Sequence, residues 1–201
     1  MILRVVHGHV PGGKLDDVRA ALEADYVPRA RACAGLDRFL IGIRPGADGH
    51  ELALMTVWAD VTSALAAYGG DLSAVRSIDN LDHGETLDRV EYYEVQTGAA
   101  RRAAGAPSLL RLTAGQVGKG FDADIQRELR NRLDSLGSEV VDAYVGRRVL
   151  GSRVEIAFVS TWSSAPTGQR LGEPVWPDIS ARYETFGIRV FDVLLEGRSA
   201  S

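Results

Sequence analysis

The chain states one pattern twice, and each statement is long enough to be a small domain rather than a turn of a solenoid, whose repeats run to ~20–45 residues. Residues 2–10, ILRVVHGHV, lie over 109–117, LLRLTAGQV, without a gap and keep Leu3/Leu110, Arg4/Arg111, Gly8/Gly115 and Val10/Val117. The register carries on as Gly13, Asp17, Val18 and Leu22 meet Gly120, Asp124, Ile125 and Leu129. ELALMTVW (51–58) then lies over EIAFVSTW (155–162), matching Glu51/Glu155, Ala53/Ala157 and Trp58/Trp162, and YYEV (92–95) answers VFDV (190–193). Four ordered blocks at similar spacing read as a tandem duplication.

Within the first copy, alternation over 2–10 closed by Pro11, Gly12 and Gly13 predicts a strand and a turn. Leu15, Val18, Ala21 and Leu22 recur at helical spacing behind Asp16 and Asp17, and Pro28 should end or kink that helix. RFLIGIRPG (38–46) and HELALMTVWAD (50–60) read as two strands joined by a Gly-rich hairpin. VTSALAAYGGDL reads as a short helix stopped by Gly69 and Gly70, and RVEYYEV (89–95) as a fourth strand. The order β-α-β-β-α-β is the split-βαβ, ferredoxin-like unit. Such a sheet carries helices on one face and leaves an apolar face to be covered, for which a second copy is the obvious partner.

The second copy predicts strands over 108–117, 140–150 and 152–162, a helix over 122–136 and a last strand in GIRVFDVLLEG. Pro166, Gly168, Gly172, Pro174 and Pro177 break its second helix, leaving a short one near Pro177 to Phe186. The expected organisation is a first unit over 1–97, a small flexible linker over 98–108 and a second, degenerate unit over 109–201. The fold class is α+β: two ferredoxin-like βαββαβ units packed sheet to sheet as a pseudo-dimeric α+β barrel.

Composition narrows the partners. Two units of this size are small for independent burial and favour a shared core. A formal charge of -4 over 201 residues, with the arginines scattered, gives no basic field for nucleic acid. No run approaches the ~20 apolar residues that span a bilayer, and MILRVV lacks the layout of a secretory signal. Cys33 is the only cysteine; it has no disulfide partner and reads as a structural thiol. These features place the chain in the cytoplasm, with a small molecule as its expected ligand.

Two βαββαβ units with a Trp ending the strand before the second helix (Val57-Trp58 and Thr161-Trp162) and a tyrosine-rich last strand resemble the dimeric α+β barrel superfamily. The antibiotic-biosynthesis-monooxygenase group is the nearest likeness, its usual dimer here fused into one chain. The resemblance implies a site between the sheet and the helices of one unit. It also implies a range of activities: cofactor-free monooxygenation of polycyclic aromatics, haem degradation, other haem chemistry, isomerisation, or none. Haem-degrading members use an Asn on the first strand and a His on the second helix, and this chain has neither.

All four histidines, His7, His9, His50 and His83, fall in the first copy. His7 and His9 share one strand face with Leu3 and Val5, and their counterparts are Ala114 and Gln116, so the scaffold does not require imidazole there. A His-x-His pair can hold a metal, but no Asp or Glu is placed to complete the set, and no metal site is expected. They read either as a polar pocket wall with one imidazole as base, or as one core histidine and one at an exposed strand end. His83 sits among Asp79, Asp82, Glu85 and Asp88, which favours imidazolium. Tyr26, Trp58, Tyr68, Tyr92 and Tyr93 can line a flat ligand; Tyr92 and Tyr93 alternate faces, one toward the helices and the other toward the barrel interface. Trp58 and Arg4 recur and so belong to the scaffold, Arg4 and Arg111 pairing for instance with Glu51 and Glu155.

The candidate catalytic residues are therefore His7, His9 and His83, and the candidate substrate-binding residues Tyr26, Trp58, Tyr68 and Tyr92, with the pocket in the first copy and no cofactor. The leading function is small-molecule binding with cofactor-independent oxygenation of an aromatic or enolisable substrate. Non-catalytic ligand binding, as in a stress-related module, and haem binding are the alternatives. The fused chain can still pair through edge strands and outer helices into a homodimer.

Overall fold

The computed structural model describes residues 1–75, 85–99, 105–118, 120, 122–165 and 172–198. The first copy runs β1 (Ile2–Pro11), α1 (Leu15–Ala21), a π turn (Leu22–Tyr26), α2 (Val27–Ala32), β2 (Leu36–Gly46), β3 (Gly49–Trp58), α3 (Val61–Ala67) and β4 (Thr86–Ala99). The second runs β5 (Leu109–Val117), α4 (Asp122–Arg132), a 3-10 turn (Leu133–Ser135), β6 (Val140–Leu150), β7 (Arg153–Trp162), α5 (Pro177–Ser180) and β8 (Thr185–Gly197). The class is α+β with antiparallel ladders and ferredoxin-like order in each copy.

Strands hydrogen-bond in the order β1-β3-β2-β8-β5-β7-β6-β4 and return from β4 to β1. Two compact units result, Met1–Tyr92 with Asp192–Ser201, and Tyr93–Phe191. Their boundaries cut through the last strands. The end of β4 pairs with β6, from Glu94 opposite Arg147 to Ala99 opposite Ala143, and so runs past residue 97 into the first two positions of the expected linker. The end of β8 pairs with β2, from Asp192 opposite Ile43 to Gly197 opposite Phe39.

Each unit buries apolar side chains between its sheet and its helices. In unit 1, Val6, Leu22, Tyr26, Leu54, Trp58 and Tyr68 form that core; in unit 2, Ile125, Leu129, Phe158, Trp162 and Ile179 do. The first helix of unit 1 does not stop at Pro28: it widens into the π turn, where the Val27 amide donates to the Leu22 carbonyl, and continues through Pro28 to Ala32. Asp60 caps α3 by accepting from the Ser63 amide at 2.7 Å, a bond that holds its carboxyl below the usual range. The expected helix from Pro177 to Phe186 is shorter than predicted, since α5 ends at Ser180 and Thr185 already belongs to β8.

One matched pair of glycines has a direct cause. A Cβ on Gly8 would meet the Thr86 carbonyl oxygen at 2.2 Å, and one on Gly115 would meet the Thr185 carbonyl oxygen and the Tyr183 ring at 2.3 Å. In both units the last strand begins against a backbone that only glycine leaves open.

Candidate functional site

Unit 1 brings three of its predicted aromatics together and seals them. Tyr26, Trp58 and Tyr68 are each 0% exposed. Tyr26 meets Phe39 edge-on at 5.5 Å between ring centroids, and Trp58 meets Tyr68 at 5.6 Å. The Arg4 guanidinium lies 3.8 Å from the Tyr68 ring centroid and donates to the Leu72 and Ala74 carbonyls at 2.9 and 2.7 Å. Trp58 donates its indole N–H to Thr56 Oγ1 at 3.0 Å, and Trp162 does the same to Ser160 Oγ at 2.9 Å, so this tryptophan serves the strand end of both units. Tyr92 is exposed, and its neighbour Tyr93 is buried with its hydroxyl donating to Glu155 at 2.5 Å.

The expected pairing of Arg4 and Arg111 with Glu51 and Glu155 does not form. Arg4 stands opposite Thr56 and Arg111 opposite Ser160, well along the ladder from either glutamate. The carboxylates pair instead with the arginines across the hairpin, Arg44 to Glu51 at 2.6 Å and Arg148 to Glu155 at 2.8 Å.

His7 is buried, with Nε2 2.9 Å from Glu91 Oε2, while Arg89 holds the other carboxylate oxygen at 3.1 Å. Its neighbour His9 is half-buried and faces Glu51 across the ladder. His83 lies outside the described residues. Glu91 was not singled out from the sequence, because nothing in a lone glutamate on a strand announces a histidine partner 84 positions away.

Unit 2 is built differently on the same side of its sheet. A shallow cleft lies between β5, β7, α4 and the segment from Pro174 to Phe186, with about 20 Å³ of enclosed space that grows to about 290 Å³ only when the part open to solvent is counted. Phe158 and Trp176, with centroids 5.1 Å apart, and Tyr183 and Phe186, 5.4 Å apart, supply its aromatic walls. Leu129 and Ile179 supply the helical side, and Thr113 lies on the strand side. The unit 1 counterparts of Thr113, Leu129 and Phe158 are Val6, Leu22 and Leu54, at most 1% exposed in a closed core.

The polar groups here are few. Thr113 is 9% exposed, and its hydroxyl has no hydrogen-bond partner among the described residues. Arg111, two residues earlier on the same strand face, is 1% exposed; it donates to the Glu173 carbonyl, while its Nε has no partner among the described residues. Burial lowers this guanidinium to about 10. Burial pushes the Tyr183 phenol up, so it stays a neutral donor at any ordinary pH. The lining carries no charged side chain among the described residues.

Sequence reading passed over this wall because the prolines and glycines of 166–177 look like decay of a helix. The signal lay in the aromatics that survive among them, Trp176, Tyr183 and Phe186. Among the described residues no group of three or more His, Cys, Asp or Glu side chains is placed to hold a metal, and no helix is long and apolar enough to cross a membrane.

No family model matches the chain, and no curated protein does. Solved structures match over nearly the whole length. A provisionally assigned monooxygenase from Fusobacterium nucleatum aligns with a TM-score of 0.72 at 13% identity, covering 98% of this chain and 94% of that one. An anthrone oxidase-like protein aligns at 0.58 and 14% identity, covering 100% and 94%. A haem-binding protein from Thermus thermophilus aligns at 0.51 and 12% identity, covering 95% and 90%. The chain shares its fold with these proteins and with a ferredoxin-fold protein related to antibiotic-biosynthesis monooxygenases from Listeria monocytogenes, which aligns at 0.50 and 7% identity, covering 96% and 94%.

Proposed function

We propose that the chain is a small-molecule-binding protein of monooxygenase-like fold whose ligand site is the cleft of unit 2. The observation that carries this reading is the contrast at matched positions: Val6, Leu22 and Leu54 are at most 1% exposed inside a core, while Thr113, Leu129 and Phe158, themselves buried at 9%, 3% and 4%, border a shallow cleft with two aromatic pairs. An apolar concavity with a few oriented polar groups is the ordinary form of a small-molecule site. No imidazole or carboxylate lines it among the described residues, so its side chains hold and orient a ligand without removing a proton. That favours binding without catalysis. Titrating the protein with 2-naphthol and following tryptophan fluorescence tests it: saturable binding that Trp176→Ala abolishes is the expected result. Binding unaffected by Trp176→Ala and Phe158→Ala would place the ligand elsewhere.

The second reading is cofactor-independent oxygenation of an aromatic or enolisable substrate, favoured by the His7–Glu91 pair. A carboxylate 2.9 Å from an imidazole nitrogen fixes the ring and stabilises its cation, as a general base requires. The check is dioxygen uptake with anthrone in the presence of a chelator. A rate that falls at least ~100-fold in His7→Gln and in Glu91→Gln agrees with this reading, with His9→Gln and His83→Gln measured beside them. Equal rates in all four variants refute it. A Soret band after haem addition would move the assignment to haem binding.

A further inference from the structure

We propose that the segment from Pro174 to Tyr183 is a lid over the cleft of unit 2, latched to α4 by Glu128, Arg132, Asp178 and Arg182, and that a ring-sized ligand enters only while the latch is open. The proposal rests on the cleft being the ligand site and adds how that site is entered.

The need for a moving wall comes from size. A cavity that takes up one benzene ring measures roughly 150 Å³, and this cleft encloses about 20 Å³. Its strand and helix walls are fixed. β5 pairs with β7 from Leu109 opposite Trp162 to Val117 opposite Val154, and β6 pairs with β7 on the other side. Ile125 and Leu129 anchor α4 in the unit 2 core. The wall that remains is the segment after Glu173, and it lies outside these ladders until β8 begins at Thr185.

That wall is tied by main-chain groups at its ends and by side chains between them. Arg111 donates to the Glu173 carbonyl at one end, and at the other the Glu184 amide donates to the Gln116 carbonyl at 2.8 Å. Between these ends, among the described residues, the backbone bonds stay within the segment, from Ile179 donating to Trp176 to Tyr183 donating to Ser180. What joins its middle to the rest of the unit is apolar contact through Trp176 and Ile179 and a cluster of charges. Arg132 of α4 grips both oxygens of Asp178 at 2.9 and 2.6 Å and donates to Glu128 at 2.8 Å, and Arg182 donates to Glu128 at 2.6 Å. Glu128 and Arg132 stand one turn apart on α4, and Leu129 beside them lines the cleft, so the latch sits at the cleft's helical side. All its side chains are partly exposed, Asp178 by 58%, so each pair contributes little and salt weakens it. A hinge at each end and a weak, solvent-facing tie in the middle let a segment open without unfolding the sheet beneath it.

The test is amide hydrogen exchange by NMR on the full chain, with stopped-flow tryptophan fluorescence to follow entry of 2-naphthol. Raising salt from about 20 mM to about 500 mM should speed exchange at Ala181, Arg182 and Tyr183 about two- to fivefold relative to the β7 amides, and speed naphthol association by a like factor. Arg132→Gln and Asp178→Asn should show the faster exchange and association already at low salt and lose most of the response to salt. Arg127→Gln, which breaks an ion pair with Asp124 within α4, should behave as wild type. Exchange at these amides that ignores salt and both latch variants would overturn the latch, whatever naphthol does. Faster exchange with an unchanged association rate would overturn the lid as the gate and leave the cleft as the ligand site. No naphthol binding, or binding that survives Trp176→Ala, would overturn the cleft reading and the gate with it.

Discussion

The helix-facing sides of the two units carry the same arginine and the same tryptophan and do different things with them. Arg4 is satisfied from every side by Tyr68 and two carbonyls, and the space beyond is packed shut by Tyr26, Leu22 and Leu54. Counting on from Trp58 reaches Tyr68, and counting equally far from Trp162 reaches Gly172. At the matching place Arg111 has, among the described residues, the Glu173 carbonyl, and the sheet beside it borders a cleft walled by Phe158, Trp176 and Tyr183. A residue that recurs in sequence therefore need not recur in role; what surrounds it decides whether it closes a core or lies beside a cleft.

The largest effect that can break this comparison is expected at Tyr68. Tyr68→Ala removes a fully buried ring and should cost about 3–5 kcal/mol in urea unfolding; a loss below about 1 kcal/mol would mean the unit 1 core is not closed by it. Arg4→Met and Arg111→Met come next, and they should differ in size. Losing Arg4 strands two carbonyls and should cost about 1–3 kcal/mol. Losing Arg111, whose partner among the described residues is the single Glu173 carbonyl, should cost less, within about 1 kcal/mol, and equal losses at both positions would erase the proposed asymmetry. Gly8→Ala and Gly115→Ala probe what the units share, each costing about 1–3 kcal/mol because the new methyl meets a carbonyl oxygen; a silent change at either would contradict the close approach of the last strand.

The smallest effect is expected at Asp122, which opens α4. Burial raises its carboxyl, but the Arg147 guanidinium at 3.0 Å and the Gly120 amide outweigh that and hold it below the usual value. A lowered folded-state pKa stabilises above the unfolded value of about 3.9 and loses that stabilisation as pH falls through the folded value. Asp122→Asn should therefore lower the midpoint of urea unfolding slightly near neutral pH, and the gap to wild type should close on acidification below about pH 4. A gap that persists in acid would assign the loss to packing.

Much of the fold was legible because strand alternation, turn glycines and the matched blocks all pointed to one order of elements. The strand-end tryptophans show why: Trp58 and Trp162 each bond a hydroxyl two residues back, a local device that sequence spacing records. The exchange of strand ends was not legible, since YYEV and VFDV look alike whichever ladder they join. Of the candidate site residues, Tyr26, Trp58 and Tyr68 do meet, but as a packed core, because period and residue type cannot tell a wall from a filling. The cleft depends on how an irregular segment drapes over a sheet, which a pattern of residues does not encode.

The most direct measurement is methyl NMR of the full chain titrated with 2-naphthol. Saturable shifts are expected at the methyls of Thr113, Leu129, Val175 and Ile179, with those of Val6, Leu22 and Leu54 unmoved. Shifts centred on Val6, Leu22 and Leu54, with the unit 2 methyls silent, would contradict this expectation.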